Sequence, residues 1–159
     1  VNAVATTVFP KRPKCAGSDE LVDVKNEDIM TFTAEYANGA IGQIACSRVA
    51  TGRKNYLCYE IQGTKGSVRY DLERMGEVQV YFQSDNERDR GFRTVLLNQP
   101  AGGISIAYND MKILEVHALF DAITNGADYT TDFEFGYKID RTVAAVIESS
   151  KTREWVDVK

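Results

Sequence analysis

The chain has 159 residues, 43% hydrophobic, with 19 Lys and Arg against 23 Asp and Glu, a net charge of −4. That length suits one domain with a core of its own, needing no disulfide or metal staples. No basic cluster tracks a phosphate backbone, since Lys11, Arg12 and Lys14 sit beside Pro10 and Pro13 in an expected loop, so nucleic acid is not an expected partner. Cys15, Cys46 and Cys58 are an odd set without CxxC spacing, which favours reduced thiols and a cytoplasmic setting. No apolar run reaches the roughly 20 residues needed to span a bilayer. The first residues, VNAVATTVFP, carry neither a basic region nor a small-residue cleavage pattern, so they do not read as a signal peptide. They start in mid-strand without a Met, as an excised piece would.

In chain order, Val1 to Phe9 reads as a Val- and Thr-rich strand closed by Pro10, and Lys11 to Glu20 as a loop. From Asp28 to Tyr36 the pattern alternates, with Met30, Phe32, Ala34 and Tyr36 on one face. Asn38-Gly39 predicts a two-residue turn with positive φ, pairing that strand antiparallel with Ile41 to Val49. Further strands are expected at Asn55 to Gln62, Ser67 to Asp71, Glu77 to Phe82 and Gly91 to Leu97. Ser84 to Arg90 reads as a charged turn.

The period then changes. Asn109 to Asn125 places Ile113, Val116, Phe120 and Ile123 on one helical stripe, with Gly126 as C-cap. A second helix is expected from Thr131, with Glu134 completing a capping box, to Ser149-Ser150. Glu154 to Val158 reads as a last strand. The whole predicts an α+β fold: a mainly antiparallel open sheet with two C-terminal helices packed on one face.

No self-contained catalytic constellation emerges. The one histidine, His117, lies four residues before Asp121, a spacing that suits a boundary pair as well as an acid-base pair. A second histidine is missing, which removes multi-His metal sites, and no G-x-S-x-G elbow presents a serine. Gly39-x-x-Gly42 and Gly63-x-x-Gly66 imitate phosphate loops, but they lie between strands and read as hairpin turns needing positive φ. Ala101-Gly102-Gly103, before the strand-like ISIAY, reads as a loop. Arg48, Arg53 and Asn55, around the polar ATGRKN loop, are either strand-end charges paired with nearby carboxylates or donors to sugar hydroxyls or a carboxylate. Tyr108, just ahead of the first helix, is a candidate of the same kind.

Several pieces, in order and spacing, carry a resemblance. They are Val22-Asp23 to Asp28, Asn38-Gly39-Ala40-x-Gly42, Ser47-Arg48, Glu60-Ile61-x-Gly63-Thr64-x-Gly66-Ser67, and Gly91-Phe92-Arg93-Thr94-Val95. Ala122-Ile123-x-x-Gly126, Gly136, Ser149-Ser150 and Trp155-Val156 follow. Together the chain resembles the C-terminal domain of the glucose-fructose oxidoreductase / inositol dehydrogenase / MocA family of NAD(P)-dependent oxidoreductases.

That resemblance implies one domain over residues 1–159, serving as substrate-pocket wall and oligomer surface. It implies an N-terminal Rossmann domain outside this chain, holding NAD or NADP. In the family the proton is handled by a Glu-Lys-Pro lysine and an Asp/His pair that lie upstream of the matched stretch. The expectation is therefore a dehydrogenase half acting on a sugar, inositol or related polyol, inactive alone and without cofactor in this stretch. Its substrate-side contacts are Arg48, Arg53, Asn55 and Tyr108. Its partners are its own Rossmann domain, the polyol substrate and a second copy through the sheet face. The rival readings are a standalone binding or assembly module and an independent enzyme using His117 and Asp121.

Overall fold

The computed structural model describes residues 1–83, 86, 88, 90–97 and 107–159. The expected charged turn from Ser84 falls largely outside them, and the Ala101 loop with most of ISIAY does so too. Among the described residues every strand pairing is antiparallel, and two helices close the chain, so the α+β expectation holds. The strands form three sheets, within two units: residues 1–51 with 130–159, and residues 52–129.

In the first unit, β1 (Asn2–Thr6), β4 (Ile29–Glu35) and β5 (Ile41–Ser47) make a sheet in the order β1-β4-β5. Met30 and Ala34 point inward while Thr31 and Glu35 are exposed, the period-2 pattern of a half-buried strand. Ala3, Met30 and Val146 form the core, with Val1, Ala5 and Phe32 against it. Val146 comes from α2 (Phe133–Thr152), which lays Ala145, Val146 and Ser149 inward. Ser149 is fully buried and bonded twice: it accepts the Ala3 N–H at 2.9 Å and donates to the Glu154 carbonyl at 2.6 Å. One hydroxyl thus ties helix, first strand and tail.

Five local expectations are corrected here. The β4–β5 connection is a three-residue loop, since Tyr36 and Ala40 are still bonded and only Gly39 has positive φ, at 83°. Asn38 instead accepts the Ala40 N–H through its side chain, the geometry of a turn followed by a left-handed glycine. Lys11 to Glu20 is not all loop, because β2 (Lys11–Pro13) pairs with β3 (Leu21–Asp23). The α2 cap is Asp132, whose carboxylate accepts the Phe135 N–H at 2.8 Å, rather than Thr131. The helix also runs past Ser149-Ser150 to a left-handed Arg153. Finally, Glu154 to Val158 is not a strand, though Val156 exchanges two backbone hydrogen bonds with Val1.

In the second unit, β6 (Cys58–Gly63), β7 (Gly66–Asp71), β8 (Glu77–Phe82) and β9 (Arg93–Leu96) form a meander. The register gives it two unlike faces. Glu60↔Arg69↔Gln79↔Thr94 and Cys58↔Asp71 line a polar face, and Tyr59↔Tyr70, Ile61↔Val68↔Val80 and Val78↔Val95 an apolar one. Gly63 and Gly66 flank a two-residue Thr64-Lys65 turn, and neither has positive φ, correcting that expectation. Gly66 is needed for closeness, since a Cβ there would overlap the Tyr81 carbonyl oxygen. The unit's helix, α1 (Tyr108–Asn125), ends at a left-handed Gly126 as expected and buries none of its residues.

Candidate functional site

Arg48 follows β5, and its N–H donates to the Asp28 carbonyl at 2.8 Å. Asp28, one residue ahead of β4, is the surprise of this corner. It is only 2% exposed. Its carboxylate accepts the N–H groups of Val8 at 2.9 Å and Phe9 at 3.0 Å, and the guanidinium of Arg12 closes on its other oxygen. The Phe9 N–H above all holds its pKa below the ordinary 3.8; burial opposes this, while Val8, Arg12 and the nearby charge of Arg48 reinforce it. A buried carboxylate with such a complete set of donors stays ionised and fixes what surrounds it. Arg48 is thereby anchored by its backbone, with its side chain exposed.

Arg53 and Asn55 belong to a second cluster. The Arg53 guanidinium lies 3.7 Å from the Tyr56 ring centroid and pairs with Glu73 at 3.3 Å. Glu73 also accepts the Lys54 N–H at 2.8 Å. The Lys54 bond first, against burial and with help from Arg53 and Asn55, lowers the Glu73 pKa. So the loop from Arg53 to Asn55 wraps one carboxylate, which the short 3-10 turn Leu72–Arg74 presents. In the same unit, the Cys58 side chain is the main influence raising the pKa of both Tyr56 and Arg69.

Tyr108 is the first residue of α1, half exposed, with the Lys112 ammonium 5.7 Å from its ring centroid. Structure thus gathers Arg53 and Asn55 around Glu73 and fixes Arg48 at Asp28, while Tyr108 keeps company with Lys112. Sequence reading missed Asp28, Glu73 and Tyr56. Their signal was faint: a carboxylate just before an alternating strand, another just after one, and a tyrosine in a polar loop.

The other candidates stay bland. The Asp121 carboxylate is bonded by Asn125 at 2.7 Å, one turn along α1 from His117. Among the described residues no group of three His, Cys, Asp or Glu could hold a metal, and no helix is long and apolar enough to cross a membrane. Gly39-x-x-Gly42 and Gly63-x-x-Gly66 lie in hairpins between antiparallel strands, and among the described residues no parallel strand leads into a helix N-terminus.

Comparison with known proteins gives a concordant result. The profile described as oxidoreductase family, C-terminal alpha/beta domain, matches residues 2–158. A levoglucosan dehydrogenase from Pseudarthrobacter phenanthrenivorans is 37% identical, over 99% of this chain and 46% of its own length. The solved structure of a levoglucosan dehydrogenase in complex with NADH and L-sorbose superposes with a TM-score of 0.92 at 37% identity, covering 99% of this chain and 44% of that one. An NAD binding oxidoreductase from Klebsiella pneumoniae gives 0.90 at 34% identity, covering 99% and 45%. The chain therefore spans less than half the length of these relatives.

Proposed function

The chain belongs to the glucose-fructose oxidoreductase / inositol dehydrogenase / MocA oxidoreductase family as its C-terminal alpha/beta domain, and on that premise we propose that it is the substrate-side part of an NAD(P)-dependent dehydrogenase acting on a sugar, inositol or related polyol. The observation that carries this reading is the match of almost the whole chain, in sequence and in backbone, to a levoglucosan dehydrogenase solved with NADH and L-sorbose. Residues 1–159 act as one functional domain beside a Rossmann domain of the same protein. That domain binds the dinucleotide, which accepts or donates the hydride.

What this chain contributes is binding and orientation. Arg48 and Arg53 present guanidinium donors, and Asn55 and Tyr108 add an amide and a phenol, the groups that fix hydroxyls in a chosen orientation. Asp28 holds the Arg48 backbone, and Glu73 holds the Arg53–Asn55 loop. Their placement removes conformational freedom that a substrate would otherwise have to freeze. A second copy packs against the exposed sheet face, and the free thiols of Cys15, Cys46 and Cys58 suit a cytoplasmic protein. The family match leaves the standalone-module reading without support of its own.

The test is nicotinamide reduction by the full-length protein across a panel of anhydrosugars, aldoses and inositols. At least one is oxidised, and Arg48→Ala lowers kcat/KM for it by roughly 10- to 100-fold, mainly through KM, as loss of a charge-assisted hydrogen bond should. No turnover with any polyol removes the function; full turnover in the variant removes Arg48 from the site.

A further inference from the structure

The polar face of the β6–β9 sheet carries a cavity of about 130 Å³ lined by Arg69, Asp71, Arg74, Glu77 and Gln79. We propose that this cavity is a binding site for a small neutral polyhydroxy compound, or for one hydroxyl-rich edge of a larger one. The register builds it: Arg69 and Gln79 are direct cross-strand partners, Asp71 and Glu77 lie two residues beyond each on the same face, and Arg74 comes from the connecting turn.

Its chemistry selects the ligand class. Two guanidinium groups face two carboxylates and one amide, so the wall has donors and acceptors but no net charge. An anion meets as much repulsion as attraction, and an apolar molecule would strip water from five polar groups without replacing its bonds. A vicinal diol does replace them, because each hydroxyl both donates and accepts, and guanidinium, carboxylate and amide each offer paired polar atoms. Some of that capacity is already committed. Glu77 is ion-paired with Arg74, and Asp71 Oδ1 accepts the Glu73 N–H at 2.9 Å. Those contacts hold the two carboxylates in place before a ligand arrives.

Size narrows the class further. A cavity of about 130 Å³ suits a polyol of a few carbons, or one edge of a larger one. The Arg53–Tyr56–Glu73 cluster adjoins it: Glu73 lies between Asp71 and Arg74 in sequence, and Asp71 acts on the Tyr56 hydroxyl.

The experiment is an amide NMR titration of this chain with erythritol, with inorganic phosphate in a parallel arm. Erythritol should give saturable shifts centred on Arg69, Asp71 and Gln79, with a dissociation constant on the order of millimolar for so small a ligand. Gln79→Leu, which removes the amide and fills the space, should weaken binding at least about tenfold. Should that variant fold poorly, Arg74→Ala on the exposed rim should weaken binding comparably. Shifts that grow linearly without saturating, saturation by phosphate instead of erythritol, or undiminished binding in the folded variant would each overturn the proposal.

Discussion

Asp28 concentrates more interactions than any candidate picked out of the sequence, and its consequences are measurable. Its folded pKa lies below the ordinary 3.8, so its contribution to stability is complete above that value and is lost as pH falls through the lower folded one. Glu73, lowered from 4.5, acts in the same direction in the neighbouring acidic range. Asp28→Asn should therefore lower Tm at neutral pH by about 5 °C or more, since one acceptor oxygen becomes a donor facing Phe9, Val8 or Arg12. Below pH 3.8 the wild type should fall toward the variant, and parallel Tm curves from neutral to acid would refute the assignment. Asp28 was invisible in the sequence because its partners lie 16 to 20 residues away on other elements, and no periodic pattern marks a buried charge. Arg53 shows the opposite case: pairing with a neighbouring carboxylate was one of its two expected roles, and Glu73 supplies it.

Among elements, the long ones were legible and the short ones were not. β4, β5, β8 and both helices have enough residues for their period to show, and Gly126 closes α1 where a C-cap glycine is expected. β2 and β3 have three residues each, one of them Pro13, so neither alternation nor propensity could announce them. Gly39 takes the positive φ expected of it, whereas Gly63 and Gly66 were placed correctly but credited with the wrong task. Gly66 serves close approach between strands, and this separates it from Gly63 experimentally. Gly66→Ala drives a Cβ into the Tyr81 carbonyl and should cost about 1–3 kcal/mol, with faster amide exchange along β7 and β8. Gly63→Ala meets only the Gly66 carbonyl at 3.4 Å, an ordinary contact, and should stay near wild type. Equal losses in urea melts would refute the distinction.

On the scale of the whole molecule, apolar area remains uncovered. Ile61 on the sheet's apolar face is 61% exposed, Tyr59 on the same strand and Val95 on the far edge strand β9 are exposed as well, and Ile113, Phe120 and Ile123 along α1 are at least 60% exposed. Sequence pattern predicts which side chains share a stripe but not what covers the stripe, so periodicity alone could place α1 without finding its contacts. Isolated exposed residues are ordinary; contiguous stripes call for a partner. The proposed self-association assigns the sheet's apolar face to a second copy, and symmetric pairing places the same strands against each other. Light scattering over a dilution series should then show a dimer dissociating at low concentration. Ile61→Lys, a charge on that face at its edge strand β6, should shift the chain to monomer without lowering Tm, because Ile61 is mostly in solvent within one copy. Ile123→Lys on α1 should leave the dimer intact. A wild type that stays monomeric at every concentration would defeat the assignment, and a dimer broken by the helix variant but not by the sheet variant would move the contact to α1.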